Sequence, residues 1–311
     1  MKTLSRFGHN LTYDLRHNRP LLIMILPVII YIIIFNYAPM AGAVIAFKQY
    51  NFAQGIFGSP WCGFNNFRFF FMSGKAWQVT QNTVLYNAAF IVVQNTLEIA
   101  AAIFLSEISG KHFKKFTQGA MFLPNFISWV VVGAIAYNLL SYDFGFVNSM
   151  LTSMGMEKWS VYTDASYWPG IFVFLSAWKH VGYGSIIYLA AIMGIGSDIY
   201  ESAALDGANE WQKIRYITLP GLKSTFFVLL ILAIGNIFRG NFDMFYQLVG
   251  NNGLLYNSTD VIDTYVFRSL LTSYEFGMSS AIGLYQSVLC CIVLIVTNLI
   301  IRRVSPENAL Y

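Results

Sequence analysis

The sequence predicts an all-α membrane protein with six transmembrane helices. Two observations concern composition: apolar residues make up 56% of the 311 residues, and charged residues only 11%. A soluble globular domain usually carries about 25% charged residues, so this chain has too few to solvate its surface. The third observation is that about 20 apolar residues cross one bilayer core, and runs of that size recur along the chain. They lie near residues 21–47, 82–105, 117–140, 168–193, 225–249 and 281–301.

The first run is interpreted as an uncleaved span rather than a signal peptide. The apolar part of a signal peptide is about 7–15 residues long, whereas this run extends from Leu21 to Ala38 and continues to Phe47. The small residues Ala41-Gly42-Ala43 formally fit a cleavage site, which keeps the signal peptide as the weaker alternative.

Lysine and arginine positions predict how the spans are oriented. Residues 1–20, the tail 302–311 and the loops after the second and fourth spans hold 12 of the 19 basic residues, and the opposite side holds five. The positive-inside rule then places both termini in the cytoplasm, flanking a six-helix transmembrane domain at 21–301. No basic stripe lies outside these loops, so the net charge of +4 reflects topology and no nucleic-acid partner is expected.

The cytoplasmic loop at 194–220 predicts two short helices that meet at a corner of small residues. Ser197 or Asp198 can cap a helix that runs to about Leu205. Gly207 permits a tight turn, and Asp206 can cap a second helix. Pro220 suits the first turn of the fifth span. A corner of alanine and glycine lets another protein approach the backbone closely, although an ordinary interfacial loop is the alternative.

Polar residues inside apolar spans are candidates for a transport pathway, because charges there are costly. In the fifth span Asn236, Arg239, Asp243 and Tyr246 are spaced by 3, 4 and 3, which predicts one helix face with an Arg239–Asp243 pair. Adjacent polar or aromatic residues occur in three other spans. Aromatic rings can contact the C–H faces of a sugar, and amides can bond to its hydroxyls. The alternative is a clasp between helices with an aromatic belt around it. The further candidates are Tyr137, Asn138, Trp178, Lys179, Tyr285 and Gln286.

The chain shows no energy source or catalytic constellation of its own. A phosphate-binding G-x-x-x-x-G-K-[ST] motif is absent, and the three cysteines and four histidines have no metal-ligand spacing. We therefore expect no enzyme, no catalytic residue and no metal site. A membrane-embedded hydrolase is disfavoured for the same reason.

The loop resembles the EAA signature of binding-protein-dependent ABC importer permeases, E-A-A-x-x-D-G-A followed by I-x-L-P. Here it stands as Glu201-Ser202-Ala203, Asp206-Gly207-Ala208 and Ile217-Thr218-Leu219-Pro220, with a serine in place of one alanine. The whole chain also resembles the LplB-like polysaccharide branch of these permeases. That resemblance is carried by the stretches at 36–42, 45–50, 59–63 and 123–131.

The resemblance implies the type I importer (MetI-like) permease fold and a division of labour among chains. Such a permease pairs with a second homologous permease, couples to a dimer of ATP-binding subunits and receives an oligosaccharide from an extracellular solute-binding protein. It implies no cofactor in this chain, because ATP and magnesium are bound by the partner ATPase, which several importers can share. Residues implied in ATPase coupling are Glu201, Ala203, Ala204, Asp206, Gly207, Ala208, Leu219 and Pro220.

We therefore expect a multi-pass protein of the bacterial cytoplasmic (inner) membrane that imports carbohydrate. Whether it pairs with a different permease or with a second copy of itself stays open at this point. An autonomous ion-coupled transporter or channel is the alternative function, and the six spans without a visible inverted repeat argue against it.

Overall fold

The computed structural model describes residues 19–304, so most of the predicted segments 1–20 and 302–311 lies outside the described residues. The described part is helical and contains no β-strand, only an isolated bridge between Lys48 and Trp61. The α-helices are α1 (Arg19–Ile32), α2 (Gly55–Gly58), α3 (Asn65–Met72), α4 (Lys75–Glu107), α5 (Lys111–Phe122), α6 (Trp129–Leu140), α7 (Phe146–Ser153), α8 (Trp168–Met193), α9 (Ser197–Leu205), α10 (Glu210–Lys213), α11 (Leu219–Gly221), α12 (Lys223–Gly235), α13 (Phe242–Val249), α14 (Tyr256–Thr259), α15 (Ile262–Thr272) and α16 (Phe276–Val304). Short 3₁₀ or π-helical stretches lie at Ile33–Tyr37, Ala38–Phe47, Leu123–Phe126, Ala165–Tyr167 and Ile214–Thr218.

Three of the helical segments are long and apolar enough to cross a membrane unaided: Arg19–Phe47, Lys75–Glu107 and Phe276–Arg303. Three bent pairs meet the same test together, with bends of 91°, 69° and 54°. They are Lys111–Phe126 with Trp129–Leu140, Ala165–Met193 with Ser197–Leu205, and Glu210–Gly221 with Lys223–Gly235. By length and composition the described chain therefore has up to six spans.

The third apolar run is not the straight helix expected at 117–140. Pro124 tightens the end of α5 into a 3₁₀ turn, and Ile127 is extended. Ser128 then caps α6, its hydroxyl accepting a hydrogen bond from the Val131 N–H at 3.4 Å. The hydropathy is continuous across the bend and does not reveal it. The helix stop at Pro124 and the helix start at Ser128 break the run, and the two helices meet at 91°.

The fifth apolar run is also broken, and the predicted helix face at 236–246 is wrong. Helix α12 ends at Gly235, and α13 begins at Phe242, where the Asn241 side chain accepts a hydrogen bond from the Met244 N–H at 3.1 Å. Arg239 lies in the break and does not pair with Asp243. The ion pairs of the described residues are Lys213–Glu210 and Arg268–Asp260.

The first span stands apart from the rest of the molecule. From Arg19 to Met40 every residue is exposed except the partly buried Leu22. Contact with the body begins in the 3₁₀ stretch Ala38–Phe47, which packs against α16. Among residues 19–304, this apolar helix packs against no other part of the molecule before Ala38.

The body is organised around α4 and α8, which pack along each other. One buried cluster joins them to α13, with the rings of Phe172 and Phe245 at 4.2 Å between centroids. A second cluster surrounds Leu105, Tyr188 and Leu222 near the loop between α8 and α12. This packing fixes the two regions that carry the candidate site.

Candidate functional site

The loop after α8 forms a sharp corner whose backbone hydrogen bonds are satisfied internally. At the end of α9 the Ala208 N–H donates to Ala203 O at 2.9 Å and the Gly207 N–H donates to Ala204 O at 3.1 Å. This pair of bonds is the Schellman motif, which requires a left-handed residue after the helix. Gly207 supplies it with φ = +79°, as the sequence predicts for this turn.

The second short helix of the corner begins later than predicted. Asn209, not Asp206, caps α10: its side chain accepts from the Gln212 N–H at 2.9 Å, and the Gln212 side chain accepts from the Asn209 N–H at 2.8 Å. Asp206 instead ends α9. The cap of α9 is also different, because Gly196 occupies that position and neither Ser197 nor Asp198 makes a capping bond. Pro220 lies in α11, at the first turn expected for the fifth span.

The corner presents its residues outward. No residue of α9 is buried, and the Leu205 side chain is 90% exposed. The Tyr200 hydroxyl lies 3.0 Å from the Thr218 hydroxyl and ties α9 to the π-helical stretch behind it. A shallow cavity of about 330 Å³ is lined by Ala203, Asp206, Gly207, Ala208, Gln212, Lys213, Tyr216 and Ile217. Glu201, Ala204, Leu219 and Pro220 are exposed around it. A rigid, small-residue surface of this kind can dock a protein.

The break in the fifth span is held by polar side chains from three other helices. The Asn87 amide donates to Ile237 O and Arg239 O, both at 3.0 Å. The Gln286 amide donates to Phe238 O at 2.7 Å and to the Asp263 carboxylate at 3.0 Å. The same Asp263 oxygen accepts from the Gly240 N–H at 2.6 Å. Gln286, predicted to line a pathway, therefore supports the broken backbone.

Asn87 and Asp263 were missed by the sequence analysis. Asn87 is a carboxamide inside an apolar run, which was the available signal, but its acceptors lie 150 and 152 residues away. Asp263 lies in the first turn of α15, in the segment between the predicted fifth and sixth spans, where an acidic residue is unremarkable. Their role follows from the break, which the hydropathy pattern does not reveal.

Three polar side chains at the break and beside it point away from the core. Asn236 and Arg239 in the break, and Asp243 in the first turn of α13, are all exposed. Because a charge facing hydrocarbon is costly, these side chains should face water or another protein. Tyr285 differs, since its ring packs edge-on against Phe70 and Phe71 at 5.8 and 5.5 Å.

Lys179, in α8, acts as a clasp: its hydrogen bonds hold the bend between α5 and α6 in place. Its side chain is buried, and the ammonium donates to Pro124 O at 3.2 Å, to Asn125 O at 2.9 Å and to Ile127 O. An ammonium has three N–H donors, so all three are used by the chain's own backbone. The lysine therefore closes the bend rather than lining a path. Its neighbour Trp178 is 41% exposed and borders apolar grooves.

Two predicted residues, Tyr137 and Tyr246, meet in a cavity of about 570 Å³ beside α6 and α13. The Tyr137 ring packs edge-on against Tyr162 at 5.4 Å, and burial raises the pKa of Tyr162 to about 12, with a smaller contribution from Tyr137. Asn138 is exposed just outside, its amide bonded to Ala134 O at 2.8 Å. The lining residues are Val130, Gly133, Ala134, Tyr137, Tyr162, Tyr246, Gln247, Leu248, Val249, Gly250 and Asn252.

Removing the Asp263 carboxylate should destabilise the protein. Asp263→Ala leaves the Gly240 N–H without its acceptor, and an unsatisfied buried donor costs about 1–3 kcal/mol. Asp263→Asn keeps an oxygen acceptor and should cost less. Thermal unfolding of the purified protein in detergent measures both, with Asp243→Ala, at an exposed acid, as the matched control. Equal melting temperatures for Asp263→Ala and the control would contradict the bracing role.

Comparison with known proteins identifies a family and several relatives that this chain resembles. Residues 98–306 match the family described as binding-protein-dependent transport system inner membrane component. The chain is 32% identical to Protein LplB of Bacillus subtilis (strain 168), over 94% of this chain and 92% of that protein. It is 33% identical to the polygalacturonan/rhamnogalacturonan transport system permease protein YteP of the same organism, over 93% and 89%.

Two solved structures resemble the fold closely. One is a bacterial ABC transporter involved in the import of the acidic polysaccharide alginate, with a TM-score of 0.86, 33% identity and coverage of 95% of this chain and 99% of that chain. The other is the alginate transporter in complex with an alginate pentasaccharide-bound periplasmic protein, with a TM-score of 0.84, 33% identity and coverage of 94% and 97%. Among the described residues, no group of three or more His, Cys, Asp or Glu could hold a metal ion.

Proposed function

Because this chain belongs to the family of binding-protein-dependent transport system inner membrane components, we propose that it is a permease subunit of an ATP-driven oligosaccharide importer. The observation that carries the proposal is the near full-length similarity to permeases named for polysaccharide transport and to an alginate importer. In this proposal the chain crosses the inner membrane six times, and both termini lie in the cytoplasm. The positions of its basic residues support that orientation.

The corner at 197–213 is the proposed contact with the ATPase. Its backbone is fixed by the Schellman motif and the Asn209 cap, so it can transmit a push without deforming. The shallow cavity around Gly207 offers room for a partner side chain, and Leu205 offers an apolar knob. ATP and magnesium are bound by the partner ATPase in this proposal, and this chain carries no cofactor.

A second permease is the proposed partner within the membrane. The exposed charges at the break, Arg239 and Asp243, need a watery or protein environment. A translocation path between two permeases would provide one. The first span, which is exposed along Arg19–Met40 within the described part of the chain, would gain a partner from the same association. We propose a different homologous permease as this partner, and so a heterodimer, because that is what the resemblance to the polysaccharide branch implies.

The cargo is an oligosaccharide delivered by an extracellular binding protein. The periplasmic protein in the alginate complex supports this arrangement, and relatives named for arabinooligosaccharides and galactooligosaccharides support the substrate class. The exposed side chains of Asn236, Arg239 and Asp243 are proposed to face the sugar on its way through the membrane.

The test is isolation of the complex from solubilised native membranes through a tag on this chain, followed by reconstitution into liposomes. A second permease and an ATPase should copurify, and uptake should require ATP and the binding protein. A panel of neutral pentasaccharides and an alginate pentasaccharide identifies the cargo. A chain that purifies alone and transports sugar or ions without ATP would overturn the proposal and favour an autonomous ion-coupled transporter or channel.

A further inference from the structure

Residues 48–74, between the first and second spans, lie at the level where the spans leave the membrane. Within this segment helix α3 packs against α4 and α16, and Gly74, with φ = +71°, turns the chain from α3 into α4. Helix α4 has 33 residues, which makes it about 50 Å long, whereas the hydrocarbon core is about 30 Å thick. Its charged ends, Lys75 and Glu107, therefore fall outside the core, and α3 lies beside the end that begins at Lys75.

Contacts with α16 show how deep α3 reaches. The Asn66 side chain lies against the first turn of α16, since a Cβ atom at Gly277 would come within 2.7 Å of its amide nitrogen. At the other end of α3, the Phe71 ring meets Tyr285 edge-on at 5.5 Å. Tyr285 is about 14 Å along α16 from Phe276. Helix α3 therefore covers the depth from the headgroups to the edge of the acyl chains.

The exposed side chains of this segment are mostly aromatic, and the described chain leaves them largely uncovered. Phe57 is 90% exposed. Four further rings are 65–73% exposed, those of Phe52, Trp61, Phe64 and Phe69. Arg68 is the one charged residue between 49 and 74. An exposed apolar surface of this kind marks a contact with protein or with membrane.

Buried polar contacts hold these rings on a fixed surface. The Lys48 side chain is buried, and its ammonium donates to Ile56 O at 2.9 Å and to Phe57 O at 2.8 Å. The Asn66 amide donates to Ala46 O at 2.9 Å and to Lys48 O at 3.0 Å, which ties α3 to the end of the first span. Because the backbone that carries the rings is already ordered, binding has little ordering to impose on it.

The chemistry of this surface favours lipid over a protein partner. Tryptophan and phenylalanine are residues with which interfacial helices enter the boundary between headgroups and acyl chains. The single charge, Arg68, suits lipid phosphates, which arginine binds through its planar fork of donors. The segment is also continuous with a span at each end. We propose that residues 52–72 are a membrane anchor whose aromatic side chains insert into this boundary. With the orientation proposed above, the boundary is that of the outer leaflet.

The anchor explains how the first span is held. Along Arg19–Met40 that span is exposed within the described part of the chain, and its contact with the body begins at 38–47, just before the anchor. Fixing 52–72 in the interface sets the depth of the end of the first span. The rest of that helix stays available to a partner chain.

Spin-label accessibility in liposomes tests the anchor. In the purified complex Cys62, Cys290 and Cys291 are changed to serine, and a nitroxide is attached at Phe57→Cys or, as a second site, at Phe69→Cys. The complex is reconstituted in liposomes of phosphatidylethanolamine and phosphatidylglycerol. Collisions with lipid-soluble oxygen and with a water-soluble nickel chelate are then measured. For side chains that insert about 5–10 Å, the oxygen-to-nickel ratio should be at least about threefold higher than at a control site in water.

The matched control is Glu157→Cys. Glu157 is an exposed polar residue in the loop between α7 and α8, which lies on the same side of the membrane as the anchor because successive spans alternate in direction. The binding protein of the uptake assay is added in a second measurement. It should leave the accessibility of Phe57→Cys and Phe69→Cys unchanged.

Three results would overturn the anchor. An oxygen-to-nickel ratio equal to that of the control places the rings in water. Low accessibility to both reagents shows that another chain covers the rings, and a fall in both on addition of the binding protein assigns the surface to that protein. The measurement requires neither ATP nor sugar, so the anchor can fail while the importer function stands, and the importer function can fail while the anchor stands.

Discussion

Gly207→Ala should reduce ATP-driven uptake by roughly 5- to 30-fold while the chain still inserts and folds. The turn needs φ = +79°, and a left-handed conformation costs a residue with a Cβ about 1–2 kcal/mol. The variant corner relaxes away from this geometry, and docking on the ATPase must restore it at that cost. A cost of about 1–2 kcal/mol corresponds to the stated loss of affinity. Gly207→Arg should go further and lose the ATPase from the purified complex while keeping the second permease.

The matched control is Gly155→Ala. Gly155 has φ = +71° and open space around it, so the backbone strain is the same, but it lies in the segment after α7. Uptake and copurification of the ATPase should be unchanged in this variant, and both variants should lose a similar amount of thermal stability. Equal loss of uptake in the two variants would show that strain alone explains the effect, and the docking role of the corner would be wrong.

Lys179→Met should lower the free energy of unfolding by about 2 kcal/mol or more. The variant keeps an unbranched apolar side chain but leaves the carbonyls of Asn125 and Ile127 without the lysine donor, whereas Pro124 O keeps its bond from the Ile127 N–H. Each unsatisfied buried carbonyl costs about 1–3 kcal/mol. Thermal unfolding in detergent should shift down by roughly 5–10 °C.

Lys158→Met provides the comparison, because Lys158 is exposed and its ammonium only lies over the Tyr142 ring at 5.1 Å, so its removal should change stability by no more than about 1 kcal/mol. The sequence alone predicts Lys179 in the substrate pathway, and a pathway role and a bend-closing role give different results. An unchanged melting temperature together with a large loss of uptake would favour contact with substrate and contradict the clasp.

Features of the fold that depend on neighbouring residues could be predicted from the sequence. The turn at Gly207 and the position of Pro220 follow from local backbone preferences, and the apolar runs follow from composition. The predicted capping residue was wrong where two candidates stand close together. Asp206 and Asn209 both suit a helix start, but Asp206 belongs to the end of α9 and the Asn209–Gln212 capping box starts α10. The family resemblance found the corner because its motif is contiguous.

The breaks and the clasp could not be predicted in the same way. Hydropathy averages over a window, so 225–249 reads as one span although Gly240-Asn241 sits within it as a turn signal. The groups that make the breaks tolerable come from distant parts of the chain. Asn87 reaches Arg239 across 152 residues, and Lys179 reaches Ile127 across 52. Without those partners in view, a polar residue in a span is read as functional.

The bond between Lys179 and the bend also constrains how the protein is made. A lysine at the centre of a membrane helix costs about 2.5–3.5 kcal/mol to insert, and the freed carbonyls of the bend are costly in lipid as well. The two costs offset each other once both segments are present, because the Lys179 ammonium donates hydrogen bonds to the carbonyls of the bend. The third and fourth spans should therefore leave the insertion machinery as a helical hairpin, not one after the other. Ribosome-bound chains that end before the fourth span should then hold the third at the translocon until the lysine arrives.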